Sequence, residues 1–227
     1  MLRSVFRNPF RSTVGVLTNL AATALMVESL SMVSSLRVMI QHEFQRTSHQ
    51  DLTITFREPQ GREVVHEMAG LPEVLVVEPQ LAVTADLSNG PYEKRAGLTG
   101  LAAGNRLFTP LAADDSPIQV PPEGLVLARK LAEILHVGPG DRLRLRPLLG
   151  TRQVREAPVV GVVDTYMGLG AWCRLEYLSR LVGEEWAANL GLLDLSRSEP
   201  GPALLAELSR RPQVLGLEER VRALRKI

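Results

Sequence analysis

Residues 67–78, EMAGLPEVLVVE, lie over residues 207–218, ELSRRPQVLGLE, without a gap, matching Glu, Pro, Val, Leu and Glu at equivalent positions. In each copy a run that suits a short helix turns at a proline into an apolar run that suits a strand. The same offset, carried toward the N-terminus, sets residues 52–56, LTITF, against residues 192–196, LLDLS. Leu52, Ile54 and Phe56 alternate with threonines as in a half-buried strand. Gly61 then gives way to a helix bearing Val64, Val65 and Met68, closed by Gly70. Two strand-helix-strand units result. Such units pack together to bury what neither buries alone, so residues 51–88 and 173–227 are expected to form two halves of one α/β subdomain. The second half ends in a basic amphipathic run, EERVRALRKI, expected to be a C-terminal helix.

Between the halves, residues 89–172 read as an inserted β-rich subdomain. KRAGLTGL, DRLRLRP and REAPVVGVVDTYM suit strands, and GLVLARKLAEILHV suits the one helix among them, with Leu127, Leu131, Ile134 and Leu135 on one face. Gly138 and Pro139 are expected to stop that helix. In DRLRLR the leucines alternate with Arg142, Arg144 and Arg146, which reads as a solvated strand face, with anion binding as the alternative. Leu175, Leu178, Leu181 and Val182 mark a further short helix ended near Gly183. The class is α+β.

Upstream, residues 13–33, TVGVLTNLAATALMVESLSMV, are the one run long and apolar enough to cross a bilayer, which takes about 20 residues. Glu28 near its middle costs roughly 3 kcal/mol on insertion, so the span is marginal alone and suits a bundle. Ala21, Ala24, Glu28, Ser31 and Ser35, spaced by three and four, form a small and polar stripe fit for close helix packing. The helix is expected to continue as a stalk, so that residues 13–50 are membrane helix and stalk. Residues 1–12 before it read as a juxtamembrane amphipathic segment. No A-x-A-like site follows the run, which speaks against a cleaved signal peptide. Arg3, Arg7 and Arg11 precede it, against Arg37 and Arg46 after it, which predicts a cytoplasmic N-terminus and an outward-facing remainder.

The totals exclude several functions. The chain has 227 residues, with 26 basic against 25 acidic side chains and a net charge of +1, so no cationic excess exists for gripping nucleic acid. Aromatic residues make up only 4%, so the core must be aliphatic. The single Cys173 permits no intramolecular disulfide and reads as a small buried hydrophobe. His42, His49, His66 and His136 are scattered, with no metal-ligand spacing. There is no G-x-x-x-x-G-K-[ST] loop, no complete dinucleotide fingerprint around Gly168 and no G-x-S-x-G elbow. Asp114 and Asp115 read as part of an exposed turn. The sequence therefore predicts no enzyme, no cofactor and no metal.

The segment GLVLARKLAEILHVGPGDRLRLR, residues 124–146, resembles a recurrent signature of FtsX/MacB-like ABC transporter permeases, the lipoprotein-releasing and macrolide-exporter type. That signature is a strand leading into a helix with an LA pair, a short Gly-containing turn, and GD opening a strand. Leu131, Ala132, Gly138, Gly140 and Asp141 stand at its structural positions. RNPFRS before the membrane run, LPEVLVVEP, and YMGLGAWCRLEYLSRLVGEE resemble further family stretches. The resemblance implies an extracytoplasmic domain in the cell inner membrane, a separate ABC ATPase subunit, and other permease transmembrane helices or a second permease copy as partners. It also implies further membrane helices, so the chain is expected to be either a fragment or a truncated product of a permease that couples ATP hydrolysis to movement of this domain for export or substrate extraction. The alternative reading is a single-pass, membrane-anchored extracytoplasmic binding or sensor module.

Overall fold

The computed structural model describes residues 18–29, 31–32, 47–166 and 168–219. Two units separate, one within residues 1–46 and one spanning residues 47–226. In the first, residues 18–29 and 31–32 are helical, with side chains exposed all round. Thr23 and Ser29 turn their hydroxyls back onto the Asn19 and Leu25 carbonyls, at 2.8 and 2.7 Å. Among the described residues no helix is long and apolar enough to cross a membrane, but the 13–33 run is described only in part. The juxtamembrane segment, the stalk over residues 34–46, Ser35 and residues 220–227 of the expected C-terminal helix lie outside the described residues, while Glu218 and Glu219, expected to open that helix, belong to a strand.

The second unit is mixed α/β. Its first layer comes from the two strand-helix-strand units. β1 (Leu52–Gln60), α1 (Glu63–Ala69) and β2 (Val74–Asn89) make one, and β8 (Ala188–Leu195), α4 (Pro202–Arg210) and β9 (Val214–Glu219) make the other. The strands interleave in the order β2-β8-β1-β9, every pair antiparallel. Each unit thus holds a strand of the other between its own two, a split β-α-β arrangement. α1 and α4 lay Val64 and Met68, and Leu204 and Leu208, on the face of the sheet formed by Leu52, Ile54, Phe56, Leu193 and Leu195.

The helices keep the alignment seen in the sequence, Val64 matching Leu204 and Met68 matching Leu208. The first strands do not. Leu52 pairs with Leu193, and of the buried β8 leucines Leu193 and Leu195, not Leu192, join the core under α1 and α4, so Leu52 corresponds in face to Leu193 and not to Leu192. A slip of one residue flips a strand's faces, and the longer turn after β8 absorbs the difference.

The second layer is a closed barrel. β3 (Tyr92–Leu101), β4 (Leu125–Ala128), β5 (Arg142–Pro147), β6 (Arg155–Val163) and β7 (Gly170–Arg174) join the distal half of β2 in the ring β2-β3-β7-β4-β6-β5. Closure occurs because Ala85, Asp86, Leu87 and Ser88 pair with β3 on one side and with β5 on the other. The ring is mixed, with β3–β7 and β4–β6 parallel. Its aliphatic core includes Leu81, Val83, Ala85, Leu87, Leu98, Leu127, Leu143 and Leu145. α2 (Arg129–Leu135) adds Leu131, Ala132 and Leu135, and α3 (Leu175–Val182) adds Leu175, Leu178, Leu181 and Val182 to the same core. The boundary between cores runs through β2 near Leu81, and α3 lies with the barrel. The sequence division at residues 88/89 and 172/173 placed both stretches with the first layer.

Two local expectations change. Leu127 sits in β4, ahead of α2. The helix stops at His136, whose φ of 51° takes the left-handed position that was expected of Gly138. Pro79 lies within β2. It precedes Gln80, where pairing with β3 begins, so only β8 neighbours it and its missing N–H breaks no second ladder.

Candidate functional site

The 124–146 segment is built so that each distinctive residue has a backbone task. Gly124 adopts φ +90°, and a Cβ there would stand 2.5 Å from a Val160 methyl and 3.0 Å from the Pro158 carbonyl. Only glycine fits. Residues 125–128 are then wholly buried against β6. After α2, the Val137 N–H bonds the Ala132 carbonyl at 3.1 Å. Asp141 closes the turn, its carboxylate accepting the Gly138 N–H at 2.8 Å while its own N–H donates to the Gly138 carbonyl at 3.1 Å. Gly140, at φ +99°, donates to the Val159 carbonyl at 2.8 Å, and Val159 returns a bond to Asp141 at the same length. Leu131 and Ala132 are core residues. Leu131, Ala132, Gly138, Gly140 and Asp141 thus come together as a scaffold, with no side chain presented for chemistry.

Of the membrane-helix stripe, Ala21, Ala24, Glu28 and Ser31 lie on the described N-terminal helix and are exposed.

A second constellation was not read from the sequence. Where β2 leaves β8 to enter the barrel, Asn189 caps the fork. Its side-chain amide donates to the Ala82 carbonyl and accepts from the Ala82 N–H, both at 2.8 Å, replacing the backbone partner that β8 no longer supplies. One turn of the strand away, Glu78 is almost fully buried, its two oxygens accepting the N–H groups of Arg106 at 2.6 Å and Leu107 at 2.9 Å. The segment that enters the domain is pinned to the same loop, with His49 N–H on the Leu107 carbonyl at 2.7 Å and Thr109 N–H on the Thr47 carbonyl at 2.9 Å. Glu78 aligned with Glu218 in the sequence comparison, but alignment alone carried no role.

The outer face of the barrel carries charge. Arg95 and Arg146 both bind Asp86, Nε to Oδ1 at 2.7 Å and Nη2 to Oδ2 at 2.9 Å. The Arg95 hydrogen bond, and then that of Arg146, hold the Asp86 carboxyl down at about 2. Arg142 approaches Glu156 at 3.9 Å. The alternating arginines do face outward, with Leu143 and Leu145 inward. Asp114 accepts from the Ser116 hydroxyl at 2.6 Å, which lowers its pKa and accounts for it as a turn-former. Asp164 is held low by Arg129. Cys173 is buried in the barrel, and burial pushes its thiol up to about 12. Among the described residues no three His, Cys, Asp or Glu side chains are grouped to hold a metal ion.

No protein-family model and no curated protein sequence matches the chain. Solved structures do. The periplasmic region of MacB from Actinobacillus actinomycetemcomitans aligns with 81% of this chain and 94% of its own, at 13% identity and a TM-score of 0.49. The extracellular domain of the noncanonic ABC-type transporter YknZ from Gram-positive bacteria aligns with 72% of this chain and 100% of its own, at 13% identity and a TM-score of 0.45. At that identity the likeness concerns the fold.

Proposed function

We propose that the chain is a permease component of an ABC-type transporter, with residues 13–33 in the cell membrane, the N-terminus cytoplasmic, and the two-layered domain outside the cytoplasm. The observation that carries this reading is the 124–146 segment. Its residues resemble the permease signature, and each distinctive one has a structural task in the strand-helix-turn-strand that the signature describes. Among the described residues no grouping of side chains argues for chemistry performed by the chain itself. ATP hydrolysis belongs, in this reading, to a separate ABC ATPase, and the domain moves in response to it. The Ala21, Ala24, Glu28, Ser31 and Ser35 stripe then packs against other transmembrane helices or a second permease copy, keeping Glu28 away from lipid.

The test is affinity purification of the full chain from membranes of its own host in mild detergent. The expected result is membrane retention together with a P-loop ATPase, and weaker retention of that ATPase by Glu28→Leu. Membrane retention with no ATPase would favour the anchored binding module. Recovery of the intact chain in the soluble fraction would overturn both.

A further inference from the structure

Leu101 ends β3 opposite Arg174 of β7, and Leu125 opens β4 just before Val126 pairs with Trp172 of β7. β3 therefore stops and β4 starts at the same end of β7. Two strand spacings separate them, about 10 Å, which roughly three or four extended residues would cross. The chain uses residues 102–124 instead. Connections longer than about 12–15 residues without secondary structure of their own are uncommon in compact domains, so the surplus calls for a task.

At the base of the loop Arg174 clasps both limbs, Nη1 donating to the Ala102 carbonyl at 3.3 Å and Nη2 to the Val120 carbonyl at 3.2 Å. The outgoing limb crosses to the first layer. There Glu78 accepts the Arg106 and Leu107 N–H groups, and Phe108 forms an antiparallel bridge with Ser48 of the entering segment, closed by the bonds of His49 to Leu107 and of Thr109 to Thr47. The returning limb is a small hairpin. Its Ile118 N–H bonds the Pro110 carbonyl and its Ala112 N–H the Ser116 carbonyl, each at 2.9 Å, round the Asp114 turn. From the hairpin the Ala113 N–H reaches the Asp164 carbonyl at 2.7 Å, just past the end of β6. The Asp164 carboxylate in turn accepts Arg129, the first residue of α2. Leu107 and Ile118 are buried, so both limbs lie down on the domain.

We propose that residues 102–120 are a coupling strap between the segment that enters the domain at residues 47–49 and the connection that leaves β6 at Asp164. One hydrogen-bonded element holds both, so loosening either end loosens the other. Two separate tie-downs would let each end open alone, whereas here both limbs share one guanidinium clasp and one hairpin. Tyr166, 59% exposed, stands two residues beyond the Asp164 anchor. The surface it offers is the one that the strap controls from the entering segment. The inference stands on these bonds and does not rest on the transporter reading.

Hydrogen exchange of the detergent-solubilised full chain tests the strap from both ends. Thr109→Pro removes the donor to the Thr47 carbonyl, and Glu78→Gln weakens the hold on Arg106 and Leu107. Each is expected to speed exchange of the Ala113 amide about fivefold, the worth of one hydrogen bond, although Asp164 is untouched. Coupling free energies are reciprocal. Ala113→Pro, which removes the donor to Asp164, is therefore expected to speed exchange of the His49 amide by a similar factor. Arg211→Gln, which breaks the ion pairs with Glu67 and Glu207, is expected to move neither amide. Unchanged Ala113 exchange in either near-end variant, or unchanged His49 exchange in Ala113→Pro, would overturn the proposal. So would an equal rise in Arg211→Gln, or a rise shared equally by the β5 amides, which marks general destabilisation.

Discussion

The two layers of the domain bury similar aliphatic side chains by different means. The split β-α-β layer has open edges at the start of β2 and at β9, and it needs α1 and α4 to cover one face of its sheet. The barrel has no edge within its ring and buries leucines, valines and alanines against its own opposite wall, with α2 and α3 as additions. Closure removes the unpaired strand groups that an open sheet must protect. The lesson is that helices complete the core in both layers, but only the layer with sequence symmetry leaves strand edges open.

Truncating one residue in each core tests this difference. Leu127→Ala in the barrel and Leu208→Ala on α4 each leave a cavity under a fully buried side chain and should cost about 2–5 kcal/mol by denaturant unfolding. Hydrogen exchange should separate them, with Leu208→Ala loosening β1, β9 and the helices while the barrel amides stay protected. Equal loosening of both layers by Leu208→Ala would show that they form one cooperative unit. A smaller effect is expected at the seam between layers. Glu78→Gln replaces one of the two oxygens that accept Arg106 and Leu107 N–H groups with an NH2 donor, costing about 1–3 kcal/mol. It should release the 102–109 loop to proteolysis.

Asp141→Ala should cost roughly 1 kcal/mol by thermal unfolding, the net worth of one side-chain bond to the Gly138 N–H, with the loss confined to the barrel. The smallest effect concerns pH. The Asp86 carboxyl is depressed from 3.8 to about 2, so the stability it supplies is fully present above pH 4 and is lost as pH falls through about 2. Asp86→Asn should therefore be less stable than wild type by a constant amount above about pH 4, a difference that vanishes as pH falls through about 2, and equal stability of the two proteins at neutral pH would contradict the assignment.

The sequence made the split layer legible because its two units repeat helix faces and strand starts, with β2 and β9 beginning at the aligned Val74 and Val214. It misplaced β8 by one residue because two adjacent leucines, Leu192 and Leu193, both suit an inward position. The ring was not legible. Its closure depends on β2 pairing with β3 and β5 at once, and nothing local in residues 85–88 announces two neighbours. β7 escaped notice because its five residues, GAWCR, lie between a glycine-rich turn and a helix. The signature turn was legible as a pattern, but which residue takes the left-handed position was not, since His136 does so in place of a nearby glycine. The arginine face was visible as an alternation in β5, whereas the partners of Arg142 and Arg146 needed the neighbouring strands.

Strand β2 runs for 16 residues through both layers. Val77 faces α1 and α4 in the first layer, and Leu81, Val83, Ala85 and Leu87 continue the same alternation into the barrel. This imposes a parity rule on the gene. An insertion or deletion of one codon between Val77 and Leu81 would turn all four barrel residues outward at once, and no turn lies within the strand to absorb it. Length changes in this protein should therefore accumulate in residues 148–154, which join strands without sharing them, while the length of β2 stays fixed.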